Sequence, residues 1–283
     1  MSQLAPFAHL PFLNRHRERI LALAALGKAA LYRFQALQGV ATLLGELILA
    51  TLALLQGRAR FDRADAWAVV QASGANALGV VVLVNLLVGA ILAFVGAIQL
   101  QKFGAEMFVA DLVSIATVRE MAAVITAVVL SGRTGAAFAA RIATMQGNEE
   151  IDALKTMGVS PVEYLVLPRV LALTLMMPLL YAFACAVGLM GGWLVAISTL
   201  DLSSVLDWDR TIEALAARHF VLGALKSFCF GALVAFAGCY YGLRAGRNAA
   251  AVGEATTSAV VSGIVGVIVI DAIFALCAFA LDV

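Results

Sequence analysis

Five long apolar segments constrain the fold of this chain more than any other feature. They cover approximately residues 76–98, 119–142, 165–198, 220–242 and 256–281, and a helix needs about 20 mostly apolar residues to cross a bilayer. Of the 283 residues, 63% are hydrophobic and 13% are charged, whereas a typical soluble domain carries about a quarter charged residues. A single water-soluble core cannot hide this much apolar surface. The sequence therefore predicts an all-α integral membrane protein.

The third apolar segment, 165–198, is longer than a perpendicular crossing requires. We expect it to tilt, to bend or to project beyond the membrane. Because a proline inside a helix removes one backbone hydrogen bond, Pro178 is the expected position of a bend.

A sixth apolar segment, 36–55, is ambiguous because it contains Glu46 and has basic residues on both sides. These are Arg15, Arg17, Arg19, Lys28 and Arg33 before it, and Arg58, Arg60 and Arg63 after it. Since basic residues concentrate on the cytoplasmic side of a membrane, both flanks are expected there. We therefore predict a helix within 15–55 that lies in the membrane interface or dips into it, with a sixth span as the alternative.

Five spans place the N-terminus in the cytoplasm and the C-terminus on the opposite side of the membrane. The loops 142–164 and 243–255 are then cytoplasmic, and the loop 199–219 lies outside. Lys155, Arg244 and Arg247 in the two cytoplasmic loops agree with the basic bias of that side.

A short charged segment between the second and third spans is typical of a helix outside the bilayer. Asn148 suits an N-cap, and the acids of the following turn suit the positive end of the helix dipole. Gly158 suits a C-terminal cap, and Pro161 prevents continuation. We predict a helix over 148–157, about 15 Å long, with apolar residues recurring on one face. The residues of this helix that we expect to contact a partner protein are Asn148, Glu149, Glu150, Ile151, Asp152, Leu154, Lys155 and Met157.

Two environments suit this charged helix: the layer of lipid headgroups, or a groove on a soluble partner protein. Lipids of the inner leaflet are anionic, and the first turn carries Glu149, Glu150 and Asp152. Docking into a partner protein is therefore the favoured interpretation.

The chain has no sequence motif for nucleotide binding or catalysis. The glycines at 132–137 are not part of a Gly-x-x-x-x-Gly-Lys-Ser/Thr pattern, which occurs nowhere in the chain. We expect the small residues of this run, like Gly188 and Gly192, to allow close helix packing. His9, His16 and His219 are scattered, and we expect them at the surface or in the membrane interface. Any ATP-driven work requires a partner chain.

Four motifs give this chain a resemblance to a known family. They are Val-Arg-Glu-Met (118–121), Ser-Gly-Arg-Thr-Gly-Ala-Ala (131–137), Asn-Glu-Glu-Ile-Asp-Ala-Leu-Lys-Thr-Met-Gly-Val-Ser-Pro (148–161) and Leu-Pro-Arg-Val-Leu-Ala (167–172). The stretch 112–172 resembles the MlaE/YrbE permeases of ABC lipid transporters associated with MCE proteins, and a weaker resemblance covers most of the rest. The chain departs from the family at Ala122-Ala123, where Gly-Pro is usual, and at Arg141, where an acid is usual.

The resemblance implies a five-span permease domain at 76–283, preceded by an N-terminal cytoplasmic and interfacial segment at 1–75. It implies that 148–157 is the coupling helix, which docks in a groove of a cytoplasmic ABC ATPase. The implied assembly is a homodimer in the bacterial inner membrane, with two ATPase subunits and a periplasmic MCE protein. The implied substrate is a phospholipid. ATP and Mg²⁺ would bind the ATPase, and no cofactor, metal, nucleic acid or enzymatic activity is expected for this chain.

Charged residues inside the apolar segments are the candidates for a substrate site, because such residues usually face a protein interior or an aqueous cavity. With five spans, Arg119, Glu120, Lys226 and Asp271 all lie in the outer half of the membrane. They either form ion pairs that hold the spans together or line a cavity for a lipid headgroup. For Arg119 and Glu120 the resemblance favours the cavity. For Lys226 and Asp271 both roles stay open.

Two other functions remain open at this point. The chain is either an ABC permease for a different hydrophobic substrate, such as a sterol, a solvent or a small molecule, or a membrane scaffold without a transport role. The identity of the lipid or other molecule bound in a purified complex would distinguish a phospholipid permease from a permease for another substrate. Failure to co-purify an ATPase would favour the scaffold.

Overall fold

The computed structural model describes residues 34–35, 37–57, 63–105, 108–200 and 210–281. All regular secondary structure in these residues is helical. The basic residues before position 34, residues 15–33 and 36 of the predicted interfacial segment and residues 201–209 of the predicted outer loop lie outside the described residues.

The chain divides after Leu49 into two compact units. Among the described residues, the first unit contains the beginning of α1, Leu37–Leu55. The second unit, from Ala50 onward, contains every other element of the described part of the chain.

The helices of the second unit surround a centre formed by α8 and α10. In chain order they are α2 (Arg63–Ser73), α3 (Ala75–Gln101), α4 (Val109–Ala116), α5 (Ala122–Leu130), α6 (Ala136–Gly147), α7 (Glu150–Thr156), α8 (Leu167–Leu200), α9 (210–214), α10 (Ala217–Leu243) and α11 (Ala249–Ala280). Three π-helical turns interrupt this series, at Thr117–Met121, Ser131–Gly135 and Val162–Val166. The first two join α4, α5 and α6 into one helix, Val109–Gly147.

Six helices in the described residues are long and apolar enough to cross a membrane. Five of them coincide with the predicted apolar segments, and the sixth is Leu37–Leu55, which we expected in the interface. Its length and composition suit a span, so the five-span count is not confirmed and the interfacial placement stays a prediction. An even number of spans would put both ends of the chain on the same side of the membrane.

The long third segment forms a continuous helix through Pro178, from Leu167 to Leu200. Its 34 residues correspond to about 51 Å at 1.5 Å per residue. Because the hydrocarbon core of a bilayer is about 30 Å thick, α8 has to tilt or to extend beyond it.

Glycines bring the backbones of α3 and α8 into direct contact. A Cβ atom on Gly89 would lie 1.9 Å from the carbonyl oxygen of Gly188, and one on Gly191 would lie 2.1 Å from that of Leu86. The predicted close packing around Gly188 is therefore confirmed, since no larger residue fits at these crossings.

The predicted packing role of the run 132–137 is confirmed for only part of it. A Cβ on Gly238 of α10 would lie 2.6 Å from the carbonyl oxygen of Gly135, so the two helices touch there. Gly132, in contrast, has open space around it. Both glycines belong to the π turn Ser131–Gly135, and only Gly135 is on the side that faces α10.

Candidate functional site

Lys226 is the centre of a cluster of charged side chains that three helices contribute. Its Nζ atom contacts Oε2 of Glu120 and lies 2.9 Å from Oδ1 of Asp271. Nε of Arg119 lies 3.7 Å from Oε1 of Glu120. The structure thus brings together all four residues predicted at membrane depth in the outer half.

Burial divides the ion cluster into a centre and a rim. The side chain of Lys226 is 0% exposed, whereas those of Glu120, Asp271 and Arg119 keep 26%, 24% and 25% of their surface. A buried ammonium group is tolerated when partners compensate its charge, and here two carboxylates do so. Arg119 offsets the second carboxylate, so the formal charges of the four side chains sum to zero.

The first π turn determines the direction in which the side chains of Arg119 and Glu120 point. Both residues belong to the turn Thr117–Met121, in which the N–H of Ala122 donates to the carbonyl of Thr117 five residues earlier. Turns of this kind are rare inside α-helices and often occur at functional sites. No residue type in this turn signals it in the sequence.

Two further polar residues, Arg133 and His219, have different surroundings. Arg133 lies in the second π turn, is exposed and is not a member of the cluster. His219, at the start of α10, is only 6% exposed, so the surface position is wrong for it, while the alternative position in the membrane interface stays a prediction. The reason is the close packing of α10 into the centre of the bundle. His9 and His16 lie outside the described residues.

The predicted charged helix is present as α7, shorter than expected at Glu150–Thr156. Its C-terminal cap is confirmed, because Gly158 has φ 72° and its N–H donates to the carbonyl of Lys155. The N–H of Val159 donates to the carbonyl of Leu154, which completes a Schellman motif.

The prediction of Asn148 as the N-cap is wrong. The preceding helix α6 runs to Gly147, and the N–H of Asn148 donates to the carbonyl of Thr144, so Asn148 ends that helix. Its side-chain amide donates to Oε1 of Glu150 at 3.1 Å. Glu149 takes the capping position with φ 63°, a left-handed conformation that is uncommon for residues other than glycine.

The acids of α7 are paired within the chain. Nη1 of Arg247, between α10 and α11, lies 3.0 Å from Oε1 of Glu149, and its Nη2 lies 2.6 Å from Oδ2 of Asp152. Nζ of Lys155 lies 3.5 Å from Oδ1 of Asp152. Sequence reasoning identified Arg247 only as a loop charge, because nothing in the sequence indicates its proximity to α7.

The apolar residues of α7 do not share one environment. Ile151 is 1% exposed, Leu154 is half-buried and Met157 is 67% exposed. Ile151 therefore fixes the helix to its own chain, whereas Met157 keeps most of its apolar side chain exposed.

The ion cluster lies well away from α7 along the helix bundle. Arg247, which follows α10, contacts α7, whereas Lys226 lies about 25 Å back along α10 at 1.5 Å per residue. In the part of the chain that the structure describes, no three His, Cys, Asp or Glu side chains are grouped so as to hold a metal ion. These features define a class: a multi-pass helical membrane protein with a buried ion cluster inside and a polar helix at one end.

Comparisons with known proteins narrow this class. A family model described as Permease MlaE matches residues 66–277. A probable ABC transporter permease protein of Rickettsia prowazekii is 38% identical over 189 residues, which cover 67% of this chain and 73% of the relative. A probable ABC transporter permease protein of Synechocystis is 33% identical over 242 residues, with 83% and 88% covered. The chloroplastic protein TRIGALACTOSYLDIACYLGLYCEROL 1 of Arabidopsis thaliana is 33% identical over 202 residues, with 71% and 58% covered.

The chain therefore belongs to the MlaE permease family, and the resemblance found in the sequence is confirmed. Relatives named as ABC transporter permeases imply that the chain works as a membrane subunit with an ATPase partner.

Proposed function

We propose that this chain is the permease subunit of an ABC transporter that moves phospholipids between the inner membrane and a periplasmic MCE protein. The observation that carries the proposal is the ion cluster around Lys226, which lies inside a mostly apolar bundle and keeps a partly exposed rim. A charged rim next to apolar walls suits an amphipathic molecule. The name of the Arabidopsis relative, which contains that of a glycerolipid, supports a lipid substrate.

Arg119 is the residue that suits a phosphate headgroup. Its guanidinium is a quarter exposed and stands 3.7 Å from Glu120, at the rim of the cluster. Guanidinium groups bind phosphate oxygens in a two-pronged geometry. Glu120 and Asp271 hold Lys226, and Arg119 then receives the headgroup while the acyl chains follow the apolar helix surfaces.

In this proposal, the ATP-driven motion of the ATPase reaches the permease through α7. We infer that α7 is the coupling helix, which sits on a cytoplasmic ATPase that binds ATP and Mg²⁺. The exposed Met157 at its C-terminal end offers an apolar contact, and the acids Glu149 and Asp152 are already paired with Arg247. Two copies of the chain and two ATPase subunits complete the assembly.

Reconstitution tests the proposed function. The complex with its ATPase is placed in liposomes containing labelled phospholipid, and ATP-dependent exchange with the MCE protein is measured. The variant Arg119→Gln should lower lipid movement about tenfold, which corresponds to about 1.4 kcal/mol, with unchanged protein yield. Arg133→Gln is the matched control, because Arg133 also lies in a π turn of the same helix but outside the cluster.

Two results would contradict the proposal. Equal lipid movement by the wild type and Arg119→Gln would exclude a headgroup role for Arg119. Co-purification of a sterol or another apolar molecule in place of phospholipid would show that the substrate is different, while the permease assignment would stand.

A further inference from the structure

A hydrogen bond from Tyr181 reaches the helix segment that presents Arg119 and Glu120. Tyr181 lies in α8 and is 3% exposed. Its hydroxyl donates to the carbonyl oxygen of Val118 at 2.8 Å. Val118 belongs to the π turn Thr117–Met121 and directly precedes Arg119. The bond therefore connects α8 to the backbone from which two members of the ion cluster project.

The π turn explains why the carbonyl of Val118 needs this partner. In an α-helix the N–H of residue 122 would donate to the carbonyl of residue 118. Here the N–H of Ala122 donates to the carbonyl of Thr117 instead, so Val118 loses its α-helical donor. Buried carbonyl groups are almost always satisfied, and Tyr181 supplies the donor.

Gly223 of α10 makes room for the contact. A Cβ atom at this position would lie 2.2 Å from the hydroxyl oxygen of Tyr181 and 2.6 Å from the carbonyl oxygen of Val118. Residues three apart on a helix are neighbours on one face, so Gly223 and Lys226 lie next to each other. The Tyr181 bond is thus adjacent to the ion pair between Lys226 and Glu120.

Loss of the π turn would change the direction of the charged side chains. One residue corresponds to about 100° of helix rotation, so conversion to an α-helix would rotate α4 relative to α5 by that angle. Glu120 could then not reach Lys226 while both α4 and α5 kept their present packing.

We propose that Tyr181 is a positioning residue, whose hydroxyl holds the π turn so that Glu120 meets Lys226 and Arg119 faces the substrate path. Its effect on transport rests on the proposed function of the ion cluster. Its effect on the backbone of Thr117–Met121 does not, and the two effects can be measured separately.

The first measurement is hydrogen exchange of the amides at 117–123 in the complete complex with its ATPase. Tyr181→Phe keeps the ring and removes the hydroxyl, and it should make these amides exchange about tenfold faster. Tyr241→Phe is the matched control, because Tyr241 accepts a hydrogen bond from Oγ of Ser262 at 2.7 Å away from the π turn. Gly223→Ala, which displaces the hydroxyl, should act in the same direction as Tyr181→Phe. Unchanged exchange in Tyr181→Phe would overturn the proposal whatever Gly223→Ala does, because the new Cβ of Gly223→Ala would also crowd the carbonyl oxygen of Val118 directly.

The second measurement is lipid movement by Tyr181→Phe, Glu120→Gln and the double variant. If Tyr181 acts through Glu120, the double variant should transport at the rate of Glu120→Gln alone. Independent losses that multiply in the double variant would mean a general structural role and would overturn the proposal. Faster exchange together with full transport by Glu120→Gln would support the positioning of the turn and contradict the function proposed for the cluster.

Discussion

The guanidinium of Arg247 lies 2.6 Å from the carboxylate of Asp152, although 95 positions separate the two residues in the chain. This ion pair fixes α7 to the turn that precedes α11. Asp271, further along α11, contacts Lys226 of the ion cluster. The Arg247–Asp152 pair therefore links α7 to the helix that contributes Asp271 to the cluster.

We predict that Arg247→Ala will separate ATP hydrolysis from lipid movement. The side chain of Arg247 is 55% exposed, so the loss of stability should be small, since exposed ion pairs contribute about 0.2–1 kcal/mol. The number of lipids moved for each ATP hydrolysed should fall, because α7 could shift without moving α11. Arg244→Ala is the control, since Arg244 bonds to Tyr240 in the same region. An unchanged ratio of lipid to ATP would contradict the prediction.

Met157 should determine the affinity for the ATPase. It is the most exposed apolar side chain of the α7 segment, at 67%, and burial of such a side chain stabilises a complex by about 1.5–3 kcal/mol. Met157→Asp should therefore weaken ATPase binding at least about tenfold in a pull-down titration. Met157→Leu, a volume-conserving change, should bind like the wild type. Equal ATPase binding by the wild type and both variants would mean that the apolar contact with the ATPase lies elsewhere.

Removal of the central charge of the cluster should destabilise the protein strongly. Lys226→Met leaves two carboxylates next to each other inside the bundle, and loss of one partner of a buried ion pair costs about 3–5 kcal/mol. The additional changes Glu120→Gln and Asp271→Asn should restore much of the folded protein but not lipid movement. Thermal unfolding in detergent and the yield from membranes measure the stability. A stable Lys226→Met single variant would contradict the prediction.

The sequence was sufficient to predict features that depend on composition alone. The segment 220–242 was predicted from its apolar length and corresponds to α10, Ala217–Leu243. Arg119, Glu120, Lys226 and Asp271 were identifiable because charges inside apolar segments are rare. Their mutual contacts could not be predicted, because they depend on how three helices are rotated about their own axes.

Other features depend on backbone geometry that residue types do not determine. The π turn at Thr117–Met121 contains no residue that distinguishes it from an ordinary helix. Tyr181 resembles any other aromatic residue in a membrane helix. The cap at Asn148 was predicted wrongly because the preceding helix extends further than its sequence suggested.

The contact between α3 and α8 should be the packing interface most sensitive to a single methyl group. In Gly89→Ala the new Cβ would lie 1.9 Å from the carbonyl oxygen of Gly188, so the two backbones must separate. Overpacking of this kind typically costs about 1–3 kcal/mol, and we expect a lower unfolding temperature in detergent. Gly79→Ala is the control in the same helix, because nothing lies within 4 Å of its Cβ. It should be neutral or stabilising by about 0.5–1 kcal/mol, since alanine favours helix formation more than glycine does. Equal unfolding temperatures for the two variants would mean that α3 and α8 can separate at no cost, contrary to their direct backbone contact.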